Sequence, residues 1–443
     1  MSETETAVAQ QPDPAEPVAD RRTEITAGIT TFLTMSYIVF VNPDMLAKGM
    51  GAEAFPALLT ATVLAAAIGS VLMGAFARLP YALAPGMGIN AIFTFELILE
   101  RKVPPPVALG LVAWSGILFV AMSATPLRRL IAQAIPPHLR EAIAGGIGVF
   151  LAFIGLRNSG LIVANPATLV SLGQLGAGSL LFLGGLVVAI VLQRRGKAYA
   201  FLVPIAGVTA LAVPLGLTHL PEAGWVSRPD FSLLFQADLV QSFDVALLPP
   251  LLTLIITDLF DSLSTFLGVS QAAGLVDEEG EPLRVEQALA VDAAATLVSG
   301  LVGTSSATTY VESAAGIEAG GRTGLTAVVA GLAFLPFLFL GPLVAIVPGF
   351  ATGPVLVILG ALMMRGAGSL ITAPLEERVP AFLVVILIPL TFSITNGILC
   401  GLVLQPLLYL LVGRSDRISG MLWALFGVAL AMLSLDHSGL FTG

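Results

Sequence analysis

The sequence predicts an all-α polytopic membrane protein of about 14 transmembrane segments, arranged as two inverted seven-span repeats. Three observations carry that reading. Of 443 residues, 56% are hydrophobic and 11% charged, whereas a soluble domain carries roughly a quarter charged residues. The apolar residues fall in long uncharged runs, such as 57–76, 106–122, 178–193 and 323–348; about twenty apolar residues wound as helix match the thickness of a hydrocarbon core. Lysines and arginines also gather at alternate ends of the runs, as short cytoplasmic loops require.

Residues 1–22 are polar, acidic and Ala/Pro-rich, the composition of a disordered cytoplasmic tail. They lack the basic start and apolar stretch of a cleavable signal peptide. The first repeat, 23–217, holds spans near 25–42, 57–77, 82–98, 106–123, 141–156, 177–193 and 198–216. A polar stretch at about 217–244 follows. The second repeat, 245–413, holds spans near 246–268, 287–302, 305–319, 323–346, 352–366, 378–395 and 397–413. The C-terminal segment 414–443 contains a further apolar stretch, 419–436, read either as an extra span or as a surface-lying helix.

With the N-terminus cytoplasmic beside Arg21 and Arg22, loops after even-numbered spans hold Arg78; Arg128, Arg129 and Arg140; Arg194, Arg195 and Lys197; Arg284; Arg322; Arg365 and Arg378; and Arg414 and Arg417. Loops after odd-numbered spans are poorer, with Lys48, Arg101, Lys102, Arg157 and Arg228. Because seven is odd, the two repeats lie in opposite orientations, the arrangement of many secondary transporters. Interruptions occur at corresponding places in both halves. The third span begins Leu83-Ala-Pro-Gly-Met-Gly-Ile-Asn90, and the tenth reads Gly303-Thr-Ser-Ser-Ala-Thr-Thr-Tyr-Val-Glu-Ser-Ala-Ala-Gly316. Each suits a short extended stretch leading into a half-helix. Unwound backbone at membrane depth survives only where protein or a wet cavity satisfies it, so the two breaks point to one central site.

Acidic residues inside spans are costly and usually functional. Asp258 and Asp261 share one face of the eighth span, with Ser262 and Thr265 beside Asp261. Asp258 reads either as a partner of Asp261 or as a residue nearer the membrane edge, and Asp261 as a ligand group or a carboxylate paired with a neighbouring helix. Glu312 follows the tenth-span break; it suits ligand or proton binding, but Thr309-Tyr-Val-Glu312 also matches a capping box. Asp292 reads as structural, and Glu318 as a surface pair with Arg322 at i+4. Asn90 offers donor and acceptor just after the double-glycine break. Phe32, Phe93, Phe260 and Tyr310 are available for stacking or for ordinary packing. Two carboxylates and an Asn suit a neutral, donor-rich planar heterocycle and repel an anion. A carboxyl in a low-dielectric site can also take up and release a proton, which gives coupling without a cofactor.

Other functions fit poorly. Cys400 is the single cysteine, so an intramolecular disulfide and a thiolate metal cluster are excluded. His138, His219 and His437 lie far apart and read as loop or terminal residues. No nucleophile–base pair or metal set is evident at membrane depth, which argues against an enzyme. Paired broken helices and buried acids argue against a channel. Nothing in the composition points to nucleic acid. An anion transporter of the same fold is the principal alternative, and it needs a basic or acid-free site.

The motifs resemble a known family. Thr23-Glu-Ile-Thr-Ala-Gly-Ile-Thr-Thr-Phe-Leu-Thr-Met-Ser-Tyr-Ile-Val-Phe-Val-Asn-Pro43 resembles the opening span of the AzgA-like adenine/guanine/hypoxanthine permeases, within the uracil/xanthine permease-like superfamily. Ala84-Pro-Gly-Met-Gly-Ile-Asn-Ala91, Asp258-Leu-Phe-Asp-Ser-Leu-Ser-Thr265, Thr308-Thr-Tyr-Val-Glu-Ser-Ala-Ala-Gly316, Gly320-Gly-Arg-Thr-Gly324 and Pro389-Leu-Thr-Phe-Ser-Ile-Thr-Asn-Gly397 are similar to the same family. The resemblance covers essentially the whole chain after residue 22. It implies proton-coupled uptake of adenine, guanine or hypoxanthine across the cell membrane, by elevator-type movement of a core domain against a gate domain. The gate would comprise spans five to seven and twelve to fourteen. It places the family's essential Asn, Asp and Glu on Asn90, Asp261 and Glu312; the residues themselves add Phe93, Thr309 and Tyr310 as candidates beside the substrate, and Asp258 with Asp261 and Glu312 as candidates for proton coupling. Glu-Ser-Ala-Ala-Gly at 312–316 replaces the Asn-Gly signature of the xanthine and uracil carriers, and Ser262-Leu-Ser264 stands where relatives often have Thr and Gly. Dimers are common in this fold, so a homodimer is compatible, although no interface is legible.

Overall fold

The computed structural model describes residues 20–437, apart from 124, 126–129, 131–133, 222–223 and 277–281. The tail at 1–19, the loop arginines Arg128 and Arg129, and Asp277 therefore lie outside the described residues. The first helix, α1 (Arg21–Met35), starts where the Asp20 side chain accepts from the Arg22 amide, a side-chain cap for otherwise unpaired donors. The chain turns at Ser36 and Tyr37, resumes as α2 (Ile38–Met50), and reverses at Gly51 with φ 100°. Next comes α3 (Phe55–Leu72), with Pro56 in its first turn, where the missing N–H costs nothing. It ends in wider π-type turns over Met73–Ala77.

The third predicted span is not a continuous α-helix. It is a three-residue strand, β1 (Leu83–Pro85), then a short helix, α4 (Met87–Ala91), which widens into π-type turns over Ile92–Glu100. After α5 (Pro105–Ser123) and α6 (Pro137–Asn158), a hairpin of β2 (Ile162–Asn165) and β3 (Leu169–Leu172) lies at the surface. Two more helices, α7 (Ala177–Arg194) and α8 (Leu202–Ala212), complete the first half. The second half opens with α9 (Leu248–Ala273) and α10 (Val285–Val302). The tenth predicted span is again strand then short helix, β4 (Ala307–Thr309) and α11 (Ser313–Glu318). There follow α12 (Gly324–Phe334), α13 (Gly341–Ala345), α14 (Gly349–Met363), α15 (Leu375–Thr391) and α16 (Ile394–Leu411). The stretch 419–436 forms a helix, α17 (Gly420–His437), packed on α16.

Among the described residues, nine helical stretches are long and apolar enough to cross a bilayer, and Leu202–Ala212, Gly324–Phe339 and Gly420–Ser434 are shorter apolar helices. The chain is a multi-pass membrane protein. Without a hydrophobic drive between helices in lipid, small residues bring backbones together. A Cβ on Gly148 of α6 would stand 2.6 Å from the Gly360 carbonyl of α14, and one on Gly28 of α1 would stand 2.7 Å from the Thr326 carbonyl of α12. A Cβ on Gly324 would stand 1.9 Å from the carbonyl of Gly74, so α12 begins in direct backbone contact with the end of the α3 rod.

The strands explain how unwound backbone is tolerated here. β1 and β4 pair antiparallel, Leu83 with Thr309, Ala84 with Thr308 and Pro85 with Ala307, and all six residues are buried. Polar groups at the strand ends are also engaged. Ser70 of α3 bonds both the amide (2.9 Å) and the carbonyl (3.0 Å) of Leu83, the Gly86 amide donates to Ser306 O (2.9 Å), and the Tyr310 amide donates to Ala82 O (3.0 Å). Each such bond removes a polar group that lipid cannot satisfy.

Two sequence-based readings are corrected. His138 is not a loop residue: it sits in the first turn of α6 and is buried, its Nε2 2.8 Å from Gln405 Oε1 and its Nδ1 3.6 Å from Glu377 Oε2. The helix begins before the apolar run does, because the polar ring is satisfied by α15 and α16 rather than by water. The Glu318–Arg322 pair is also not formed among the described contacts. Arg322 instead donates to the carbonyls of Ile317 (2.6 Å), near the C-terminus of α11, and Gly321 (2.7 Å), just beyond it.

Candidate functional site

The paired strands gather the chemistry-bearing residues. β1 leads directly into α4, which carries Asn90, fully buried. Its Oδ1 accepts a short hydrogen bond from the Ser305 hydroxyl, in the segment just before β4. Its Nδ2 lies 3.8 Å from Met87 Sδ, a weak acceptor. The third and tenth spans are thus joined by side chains as well as by backbone.

Helix α9 runs beside β4 and presents Asp258 and Asp261 on one face, as their spacing predicts. Asp261 is half-buried, and Thr308 of β4 donates to its Oδ2 at 3.3 Å. Asp258 is fully buried; Thr296 of α10 donates to its Oδ2 at 2.9 Å, while its Oδ1 has no partner. Asp292 of α10 is spent inside the protein. Its Oδ1 accepts from the amide (3.1 Å) and hydroxyl (3.3 Å) of Thr309, and its Oδ2 accepts from Ser262 at 2.5 Å. Ser262, where the sequence departs from the common pattern, is therefore part of a tie between α9 and α10.

Glu312 is the residue before α11 and is half-buried. The capping box that Thr309 and Glu312 suggested is not formed, because the Thr309 amide and hydroxyl both go to Asp292. Glu312 Oε1 instead accepts from the hydroxyl of Tyr37, at the α1–α2 turn, at 2.7 Å. Tyr310 donates to the Pro85 carbonyl at 2.6 Å and stands 6.4 Å, ring to ring, from Tyr37.

Of the residues singled out from the sequence, Asn90, Asp258, Asp261, Thr309, Tyr310 and Glu312 all lie on or beside the strand pair. Thr309 has committed its hydroxyl to Asp292. Phe93 lies within the π-type turns and is wholly buried in the main apolar core. Phe32 packs edge-on against Phe334 of α12 at 4.9 Å, and Phe260 lies under the Arg140 guanidinium at 6.0 Å.

The sequence reading missed Tyr37, Ser305, Thr308 and Glu24. A Tyr within an otherwise apolar run is itself a signal, since a buried phenol hydroxyl needs a partner. The hydroxyl-rich run 304–309 signalled an unwound segment, but not which hydroxyl meets which acid. Glu24 accepts from the amides of Arg322 (2.9 Å) and Thr323 (3.1 Å) and from the Thr326 hydroxyl (2.5 Å), and so caps the start of α12 from α1.

The sequence model of the permease family matches residues 22–400. The chain is 43% identical over 402 residues to the adenine permease AdeP of Escherichia coli K12, covering 90% of this chain and 89% of that one. It is 40% identical over 421 residues to the guanine/hypoxanthine permease PbuG of Bacillus subtilis 168, covering 92% and 95%. It is 42% identical over 407 residues to the putative permease MJ0326 of Methanocaldococcus jannaschii, covering 91% and 93%. Among solved structures, the transmembrane domain of the cyanobacterial bicarbonate transporter BicA superposes with a TM-score of 0.62 at 17% identity, covering 85% of this chain and 97% of that one. SLC26A9 superposes with a TM-score of 0.60 at 9% identity, covering 88% and 65%. At that identity these two show a common helical fold and nothing finer. The sequence matches decide the family: this chain belongs to the permease family that contains those nucleobase permeases.

Proposed function

We propose that this protein is a proton-coupled permease of the cell membrane for purine nucleobases: adenine, guanine, hypoxanthine, or more than one of these. The observation that carries the reading is the convergence of Asp261, Glu312 and Asn90 at two interrupted membrane segments joined by paired strands. A carboxylate accepts N–H groups from a planar base, and Asn supplies a donor and an acceptor. The names of the 40–43% identical relatives point to the same class of substrate. Glu312 and Asp261 would carry the coupling proton, with Asp258, whose Oδ1 has no partner, as a further station. No cofactor enters this reading.

The architecture supporting the proposal is fourteen spans in two inverted repeats, with a cytoplasmic N-terminus. The third and tenth spans then occupy equivalent places, which fits their like construction and antiparallel pairing. Spans one to four and eight to eleven would form the core that bears the site. The remaining spans would form the gate, against which the core moves by an elevator mechanism. The second reading is an anion carrier of the same helical fold. Carboxylates at the site oppose it, since like charges in a low-dielectric site repel strongly.

The test is uptake of labelled adenine, guanine, hypoxanthine, xanthine and uracil into vesicles, with and without a protonophore. Protonophore-sensitive uptake of any of the first three supports the proposal. No uptake of any base by protein verified in the membrane overturns it, and bicarbonate or sulfate flux would then favour the anion reading.

A further inference from the structure

The first span tightens where it meets the site. Between α1 and α2, Ser36 and Tyr37 keep right-handed helical backbone but their carbonyls accept from Val39 (3.2 Å) and Phe40 (3.0 Å), and Tyr37 is only 1% exposed. Its hydroxyl donates to Glu312 Oε1 at 2.7 Å; the Thr34 hydroxyl of the same segment lies 3.3 Å from the Glu312 backbone carbonyl but makes its shorter bond, 2.7 Å, to the Thr31 carbonyl. The Tyr37 ring is held in turn. Phe201, the residue before α8, meets it edge-on at 5.2 Å, and Tyr310 stands 6.4 Å away. A half-buried glutamate is thus held at one carboxylate oxygen by a phenol whose ring is itself packed against Phe201.

We propose that Tyr37 is a positioning residue of the substrate site, one that holds Oε1 of Glu312 and so turns Oε2 toward the coupling proton and the base. The proposal rests on the functional reading above. A phenol that donates to Oε1 uses one of its lone pairs and makes that oxygen the less basic of the two. Oε2 is then the oxygen favoured for the proton, and in the ionised carboxylate for an N–H of a planar base. Its place is set by Tyr37. Fixing a side chain through such an outer contact is how sites reach the half-ångström precision that recognition demands. Without the hydroxyl, Glu312 loses that anchor and the preference between its oxygens.

The test is a double-substitution cycle in vesicles and in detergent. Wild type, Tyr37→Phe, Glu312→Ala and the double variant are measured for uptake kinetics and for equilibrium binding of labelled adenine, guanine and hypoxanthine, with membrane abundance quantified. The expected result for Tyr37→Phe is an apparent KM and Kd raised about tenfold, the cost of one hydrogen bond to a charged group, with Vmax within about twofold. On a Glu312→Ala background, which leaves the phenol no acceptor, Tyr37→Phe should add nothing to the loss of binding. Wild-type KM in Tyr37→Phe, or additive losses in the double variant, overturns the proposal. If Glu312→Ala binds no base at all, the pH profile of uptake decides: an unchanged profile in Tyr37→Phe overturns the proposal, and a displaced one supports it. If Tyr37→Phe fails to reach the membrane, Tyr37→Met takes its place in the cycle. Wild type that carries none of the three bases refutes the functional reading, and the Tyr37 proposal falls with it. A carrier whose Tyr37→Phe variant is unimpaired refutes only the role of Tyr37.

Discussion

Asp292 has hydrogen bonds on both oxygens, from Thr309 and Ser262, whereas Asp261 has one bond to Thr308 and Glu312 one to Tyr37. Asp261 and Glu312 are half-buried and keep acceptor capacity for a ligand, whereas Asp292 is fully buried and holds helices together. Glu312→Gln is expected to abolish net accumulation of base while leaving exchange of internal for external base, because an amide cannot cycle a proton. Concentration of labelled base against its gradient by that variant would contradict the proton role. Asp261→Ala is expected to lose base binding itself, by about tenfold or more, read as Kd in detergent. The candidate acids were legible in the sequence because an acid within an apolar run stands out. Which groups Tyr37 and Ser305 meet was not legible, because their partners, Glu312 and Asn90, lie far away in the chain.

At the scale of the element, glycines and strands do the positioning. Gly74 and Gly324 touch backbone to backbone where α3 ends and α12 begins. Even a methyl there must displace main chain, so Gly324→Ala is expected to lower the thermal melting temperature in detergent by several degrees, with the Gly268→Ala variant, whose Cβ meets nothing within 4 Å, as the control. Both interruptions were readable: Pro85, Gly86 and Gly88 weaken one helix, and the β-branched, hydroxyl-rich run 304–309 weakens the other. Their pairing as strands was not readable. Register between two three-residue strands in opposite halves depends on where the surrounding helices place them, and three residues carry no periodicity.

Across the whole molecule, hydropathy made the multi-pass helical character legible, because the bilayer imposes length and composition together; nine long apolar helices stand among the described residues. The start of α6 was misplaced for the complementary reason: His138 is polar, and only the folded bundle supplies Gln405 and Glu377 to receive it. The proposed orientation is directly testable, since Cys400 is the only cysteine and can be replaced by Ser. Single cysteines at Arg195 and Arg417 are expected to react with an impermeant maleimide only from the cytoplasmic side, and cysteines at Lys48 and Arg228 only from the outside. The reverse pattern would invert the topology.

The β1–β4 ladder has a kinetic corollary. Under the proposed elevator mechanism, two fragments stitched by backbone hydrogen bonds, and by the Asn90–Ser305 bond, would move together while one face of the membrane is exchanged for the other. The cargo compartment would then travel as one unit, with the same grip on a base at either terminus of the journey, and the proposed proton coupling would impose the direction. In vesicles of known sidedness, clamped at equal pH and zero potential, half-saturation for influx and efflux should coincide within about twofold. A persistent tenfold asymmetry would mean that the ladder is remade during the cycle.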